Sequence, residues 1–253
     1  MSSRVFRHAV LTALAISLTA CSSFAPPPAP PKLRTGALDQ VGPRLTNYGS
    51  AVLMPGAVIT VWGDDFTGPS PEAPHPKGKT LTLAAALASA TGLKVVDHAG
   101  AGQTAAEGLA QLTAGDAGAL VVICYGYGDA IKQTKDFKAS LDAMIRLAHS
   151  RGAPVLLVTE PLPTVVPSKV PTAKEKQLQA LVAQVSALQD IVRTEGPGAG
   201  AGVIDSTPVL QPPAVSPKAA PPNILTVAEK QPGARLGTER IAHAVAGLIE
   251  LAR

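Results

Sequence analysis

The sequence predicts an α/β protein of three layers, α/β/α, built on a five-stranded parallel sheet. The first observation is a set of short apolar runs from Ala57 onward: "AVITVW" (57–62), "LKVVD" (93–97), "ALVVICYG" (119–126), "PVLLVTE" (154–160) and "GVID" (202–205). The second is that their hydrophobicity is continuous rather than alternating, which is the pattern of strands buried on both faces. The third is that a longer stretch of helical period separates each run from the next. Alternation of strand and helix implies parallel pairing through crossover helices, which then cover both faces of the sheet.

The helices follow in order. "LTLAAALASATG" ends on Gly92, a natural helix stop, and "TAAEGLAQL" and "FKASLDAMIRLAHSRG" follow the next two strands. In the fourth helix Leu178, Leu181, Val182, Val185, Leu188 and Val192 share one face, and Thr172 with Glu175 has the spacing of a capping box. A last helix over roughly 234–252 puts Ile241, Val245, Leu248 and Ile249 on one stripe. The Pro-rich segments 68–79 and 206–222 read as extended surface loops.

A chain of 253 residues with 46% hydrophobic content can fill one sizeable core, so residues 51–253 are expected to form one domain. Residues 1–20 stand apart from it. Arg4 and Arg7 precede the apolar stretch "AVLTALAISL", and "LTAC" (Leu18 to Cys21) follows at once, the layout of a secretory leader. Residues 21–50 include "FAPPPAPPKLRTG", a stiff tether, because proline fixes φ and removes backbone donors. Losing the leader removes two basic residues and no acid, so a net charge of +4 falls to about +2. No basic, aromatic-interleaved patch remains to suggest nucleic acid. Cys124 lies within an apolar run, where burial makes a thiol inert.

"LTAC" resembles the lipobox of bacterial lipoproteins. That resemblance implies lipid on Cys21, membrane attachment through it and, with Ser22 rather than aspartate next, the outer membrane facing the periplasm.

In parallel α/β sheets ligands bind beyond the carboxyl ends of the strands, so the residues there come first. They are Gly63-Asp64-Asp65-Phe66-Thr67-Gly68, then Asp97-His98-Ala99-Gly100-Ala101-Gly102-Gln103-Thr104, then Gly126-Tyr127-Gly128-Asp129. Over the span from about Ala57 to Arg253 these segments resemble those of the SGNH (GDSL-type) hydrolase superfamily, with its flavodoxin-like fold. "GDDFTG" is similar to that family's GDSxTxG-like turn, "DHAGAGQT" to its NxGxxGxT-like segment and "GYGDA" to its GxND segment. "AEKQPGARLGTERIAHAV" is similar to the family's DxxH region with one inserted residue.

Carried over position by position, the resemblance puts Asp65 where the family has its serine nucleophile and Gly128 where it has an oxyanion-hole asparagine. It puts Ala228 at the acid and Gln231 at the histidine. A backbone oxyanion donor survives at Gly100 or Gly102. Asp64 takes a supporting role in its turn.

The chemical consequence is direct. Acyl transfer by such machinery needs an alkoxide made by an imidazole base, and donors aimed at the developing oxyanion. An ionised Asp65 has no proton to lose and repels negative charge, Gln231 shuttles no proton at neutral pH, and Gly128 offers no side-chain donor. His98 is the histidine that topology places near Asp65, with His75 in a Pro-rich loop and His149 and His243 in helices. Adjacent Asp64 and Asp65 lack the DxDxT spacing of phosphoryl transfer by an aspartate nucleophile. No spacing signature supports a metal site, for which Asp65, Asp129 and His98 were the geometric candidates, and no cofactor is expected. Trp62, Phe66, Tyr125 and Tyr127 cluster at the ends of the first and third strands, either as core or as the aromatic walls of a cleft for a sugar or peptidic ligand.

The expectation is therefore a lipid-anchored envelope protein whose hydrolase-like domain is catalytically inactive. It binds an envelope polysaccharide or a protein partner through Asp65, Trp62, His98, Gly100, Gly102, Tyr127, Gly128, Asp129 and Gln231. Two other readings stand beside it: an active esterase or deacetylase using Asp65 or a displaced base, and a structural partner docking through its Pro-rich loops.

Overall fold

The computed structural model describes residues 45–46, 51–64, 81–162, 172–210 and 235–251. The five expected strands all form: β3 (Val58–Gly63), β4 (Lys94–Asp97), β5 (Leu120–Cys124), β6 (Val155–Val158) and β7 (Gly202–Ile204). They pair in parallel in the order β7-β6-β5-β3-β4. The chain steps from β3 to β4 on one side and then crosses to β5 on the other, so the strand order reverses at β3. A short β1 (Leu45–Thr46) adds to the outer edge of β7 antiparallel, from within the stretch expected to be tether.

Helices cover both faces. On one lie α1 (Leu83–Thr91) and α7 (Arg235–Ala246), packing Leu83, Leu87, Ile241 and Val245 against Ile59, Val61, Leu120, Val122, Leu156 and Ile204. On the other lie α2 (Ala105–Ala114), α4 (Phe137–Ser150) and α5 (Ala173–Gly198). There Leu112, Phe137, Leu141, Met144, Ile145 and Val192 meet Val121, Ile123, Val155, Leu157 and Val203. Successive residues of β5 thus serve opposite cores, which is why its sequence is apolar throughout.

Local chemistry sets the helix ends. Thr82 accepts from the amide of Ala85 at 3.1 Å to start α1, and Gly92 stops it with φ at 69°, a left-handed value that glycine adopts without penalty. The expected Thr172–Glu175 capping box opens α5, and a second, Thr104 with Glu107, opens α2. Among the described residues no helix is long and apolar enough to cross a membrane.

Two expectations are corrected. The last helix does not run to 252: it ends at Ala246, and after Gly247 the chain extends as β8 (Ile249–Leu251), which pairs in parallel with β2 (Ala51–Leu53). Ile241, Val245 and Leu248 are buried as expected, while Ile249 is only half-buried. After the third strand the chain forms a short helix, α3 (Tyr127–Lys132), for which no element was expected. The start of the second Pro-rich segment forms α6 (Ser206–Leu210), because Pro208 falls in the first turn, where no intrahelical amide bond is lost. Residues 211–222 and the segment 68–79 lie outside the described residues.

Candidate functional site

The site is built on the carboxyl ends of β3, β5 and β6, at the reversal of strand order. Asp64 leaves β3 fully buried. Its Oδ2 accepts the amides of Gly126 at 3.1 Å and Gly128 at 2.9 Å, and its own amide donates to the carbonyl of Cys124 at 3.3 Å. Between those two glycines, the amide of Tyr127 donates to Oε2 of Glu160 at 2.6 Å. Three consecutive amides, which a helix start leaves without intrahelical partners, are thus held by two buried carboxylates from flanking strands. The supporting role expected of Asp64 is visible in these bonds.

Glu160 is held in turn. Its amide donates to Oε1 of Gln189 at 2.9 Å, and Nε2 of Gln189 donates to the carbonyl of Tyr125 at 3.3 Å. Both residues are fully buried. A Cβ at Gly126 would meet Nε2 of Gln189 at 2.3 Å and Oε2 of Glu160 at 2.8 Å, so the turn closes onto this floor. Burial pushes the Cys124 thiol well up, with Glu160 and Asp64 adding to the effect, so it is a buried, free and inert cysteine as expected.

The turn after β4 closes the opposite side. The amide of Gly100 donates to the carbonyl of Gly63 at 3.1 Å and the amide of Gln103 to the carbonyl of Gly100 at 3.0 Å. Gly100, one of the two expected backbone donors, therefore has its N–H engaged on β3. Gly102 lies in the same turn with φ at 69°.

Of the residues expected to contact a ligand the structure buries Trp62, Tyr127 and Asp129, and it buries Tyr125 in line with the core reading given for it. Trp62 is fully buried in the core; its indole Nε1 donates to Oγ1 of Thr60 at 3.0 Å, so it is no wall of an open cleft. Tyr125 is equally buried, and burial pushes its hydroxyl far above the ordinary phenol range. Tyr127 packs against Ala130 and Val185 at 5% exposure. Asp129, 1% exposed, accepts from the amide of Ala105 at 2.9 Å through Oδ2 and from the Thr134 hydroxyl at 2.5 Å through Oδ1. It clamps the start of α2 to α3 rather than facing a ligand. Trp62 is interior because it lies within β3 and Tyr125 follows β5 directly, whereas Tyr127 and Asp129 are carried inward on the first turn of α3. Burial pushes the Asp129 carboxyl up, against its hydrogen bonds.

His98 keeps partial exposure. Its ring stacks on Trp62 with centroids 4.0 Å apart and planes at 11°. Partial burial pulls its pKa below the ordinary value, opposed by the charge of Asp97. His149 lies in α4 and His243 in the last turn of α7, as expected. Asp65, Phe66, His75, Ala228, Gln231 and Cys21 lie outside the described residues. Among the described residues no group of three or more His, Cys, Asp or Glu could hold a metal ion.

Sequence reasoning missed Glu160, Gln189 and Gln103. Glu160 ends the apolar run "PVLLVTE", a strand end like the three that were weighed. Gln189 lies on the buried stripe of α5 with Val185, Val192 and Gly196, and a polar residue on such a stripe signals a buried acceptor to satisfy.

Together these observations define an α/β/α domain with the fold of the GDSL/SGNH-type hydrolases. Several solved structures resemble it. One is a protein described as lipolytic, of the G-D-S-L family, from Desulfitobacterium hafniense: TM-score 0.51, 21% identity, over 73% of this chain and 97% of that one. Another is a protein described as an arylesterase, from Agrobacterium tumefaciens: TM-score 0.52, 19% identity, over 75% and 96%. A third is an extracellular lipase from Streptomyces rimosus: TM-score 0.50, 18% identity, over 73% and 99%. No family model matches the chain, and no curated protein matches its sequence.

Proposed function

We propose that this is a lipid-anchored envelope protein whose hydrolase-like domain has exchanged catalysis for binding of a ligand or partner, an envelope polysaccharide or an assembly that handles one. The observation that supports it is the state of Gly128. This residue stands at the position that, by resemblance, supplies a side-chain oxyanion donor; it has no side chain, and its amide is engaged by Asp64 at 2.9 Å. The amide of Gly100 is likewise engaged, by Gly63. Loss of one such donor costs an acyl-transfer site about 3 kcal/mol of transition-state stabilisation. With aspartate at 65 and glutamine at 231, the chain has neither the alkoxide nor the imidazole of that chemistry. In this reading Cys21 bears the lipid and the Pro-rich stretch after it spaces the domain from the outer membrane, facing the periplasm.

The test is turnover of activated acetyl esters and of an acetylated glycan by the purified protein, with Asp65→Ala in parallel. No hydrolysis above buffer in either, together with binding of envelope polysaccharide, is the expected result. Hydrolysis that disappears in Asp65→Ala would instead make the carboxylate catalytic and the protein an esterase of unusual mechanism.

A further inference from the structure

We infer that the turn after β4, Gly100 to Gln103, is a fixed backbone plug against the first turn of α3, so that position 128 admits no side chain and no side-chain donor can be installed there. This deepens the proposed function, and it rests on that reading only for the meaning given to position 128. The proposed reading identifies which groups are missing. The plug adds that the backbone has closed over the place where one of them would stand.

A Cβ built on Gly128 would lie 1.9 Å from the carbonyl oxygen of Gln103, 2.7 Å from its carbonyl carbon and 3.0 Å from that of Gly102. All three are backbone atoms, so no change of rotamer relieves the overlap. The conformation of Gly128 does not itself call for glycine, since its φ is not among the positive values. The restriction is one of space.

Neither side can retreat without breaking hydrogen bonds that hold it. Gly128 is tied to Asp64, and Asp129 beside it to the amide of Ala105. The turn is tied at one end by Gly100 to the carbonyl of Gly63. At the other it runs into the α2 capping box, where Thr104 N–H donates to Oε2 of Glu107 at 2.8 Å and Glu107 N–H to Oγ1 of Thr104 at 3.2 Å. A side chain at 128 must break one of these ties to enter. Among the described residues a Cβ at Gly118 would also meet backbone, the carbonyl oxygen of Val58 at 2.7 Å, but the 1.9 Å approach at Gly128 is the tightest; at Gly108 the obstacle is the Tyr125 side chain, and at Gly198 a Cβ meets nothing within 4 Å.

The experiment compares Gly128→Ala and Gly128→Asn with Gly198→Ala in the full chain, purified in detergent, by thermal unfolding and amide hydrogen exchange. The plug predicts a midpoint lowered by at least about 5 °C in Gly128→Ala, and at least as much in Gly128→Asn. Gly198→Ala should keep the wild-type value or rise slightly above it. Exchange in Gly128→Ala should quicken at residues 100–105. Failure of Gly128→Ala to fold beside a normally folded Gly198→Ala counts with the prediction. A wild-type midpoint in Gly128→Ala, or unchanged exchange at 100–105 in a folded variant, overturns it. Ester turnover by the wild-type chain would overturn the proposed function and leave the plug standing.

Discussion

The amide of Gly128 donates to Oδ2 of Asp64 at 2.9 Å, joining the ends of two neighbouring strands that are 64 residues apart in sequence at this contact. The same oxygen takes the amide of Gly126, so one buried carboxylate sets the path of the whole turn into α3. Asp64→Ala would leave both donors buried without it. The expected loss is about 2–5 kcal/mol of folding stability, read from urea unfolding. Asp64→Asn, which retains one acceptor oxygen, should lose less. Equal losses in the two variants would show that the carboxylate's acceptor role is not what holds the turn.

Arg151, just past the end of α4, reaches across to the end of α2. Its Nη1 donates to the carbonyls of Leu112 and Gly115, each at 2.7 Å, and its Nη2 to that of Thr113 at 3.0 Å. A guanidinium spans three carbonyls in a way that a single ammonium does not. Arg151→Met is expected to cost about 1–2 kcal/mol, with Arg151→Lys recovering only part. An Arg151→Lys variant as stable as the wild type would remove the geometric argument.

Asp205 and Arg193 give the fold an acid limit. Burial alone would push the Asp205 carboxyl up; the paired bonds from Arg193, Nε at 2.9 Å and Nη2 at 3.2 Å, with the amide of Thr207, hold it below its ordinary value. A carboxyl depressed in the folded state adds stability that is fully present above its unfolded pKa and is lost as pH falls through the folded one. Stability should therefore decline below about pH 4, and that slope should flatten in Asp205→Asn. An unchanged acid slope in that variant would mean that other carboxylates set the limit.

Much of the architecture is legible in the chain because continuous apolar runs and helical periods record burial directly. Thr172 and Glu175 announce a helix start, and Gly92 a stop, by local chemistry alone. Strands β1, β2 and β8 leave no such mark: each has two or three residues and exists only through a distant partner, as when Ala51–Leu53 pairs with Ile249–Leu251. The site divides in the same way. The departures at Asp65, Gly128 and Gln231 are legible because a resemblance gives them positions. The inward turn of Tyr127 and Asp129 is not, because a strand end has the same composition whether a loop or a helix follows. Glu160 and Gln189 are hidden for a further reason: their role is to satisfy backbone groups of a turn brought to them by the sheet.

The stack of His98 on Trp62 supplies an optical readout of the region where β3 and β4 end. Trp62 is the single tryptophan of the chain, and an imidazolium 4.0 Å above its ring should alter its emission relative to neutral imidazole. Burial is the larger influence on His98 and lowers its pKa, with Asp97 acting in the opposite sense. The emission should then titrate with a midpoint below 6.5, the ordinary histidine value. Because the unfolded chain binds this proton more readily, the same group should weaken the fold as pH falls below that value. His98→Gln should abolish the optical transition and, through this group, the associated loss of stability. A midpoint at or above 6.5, or a transition that persists in His98→Gln, would show that the stacked pair is not what the fluorescence reports.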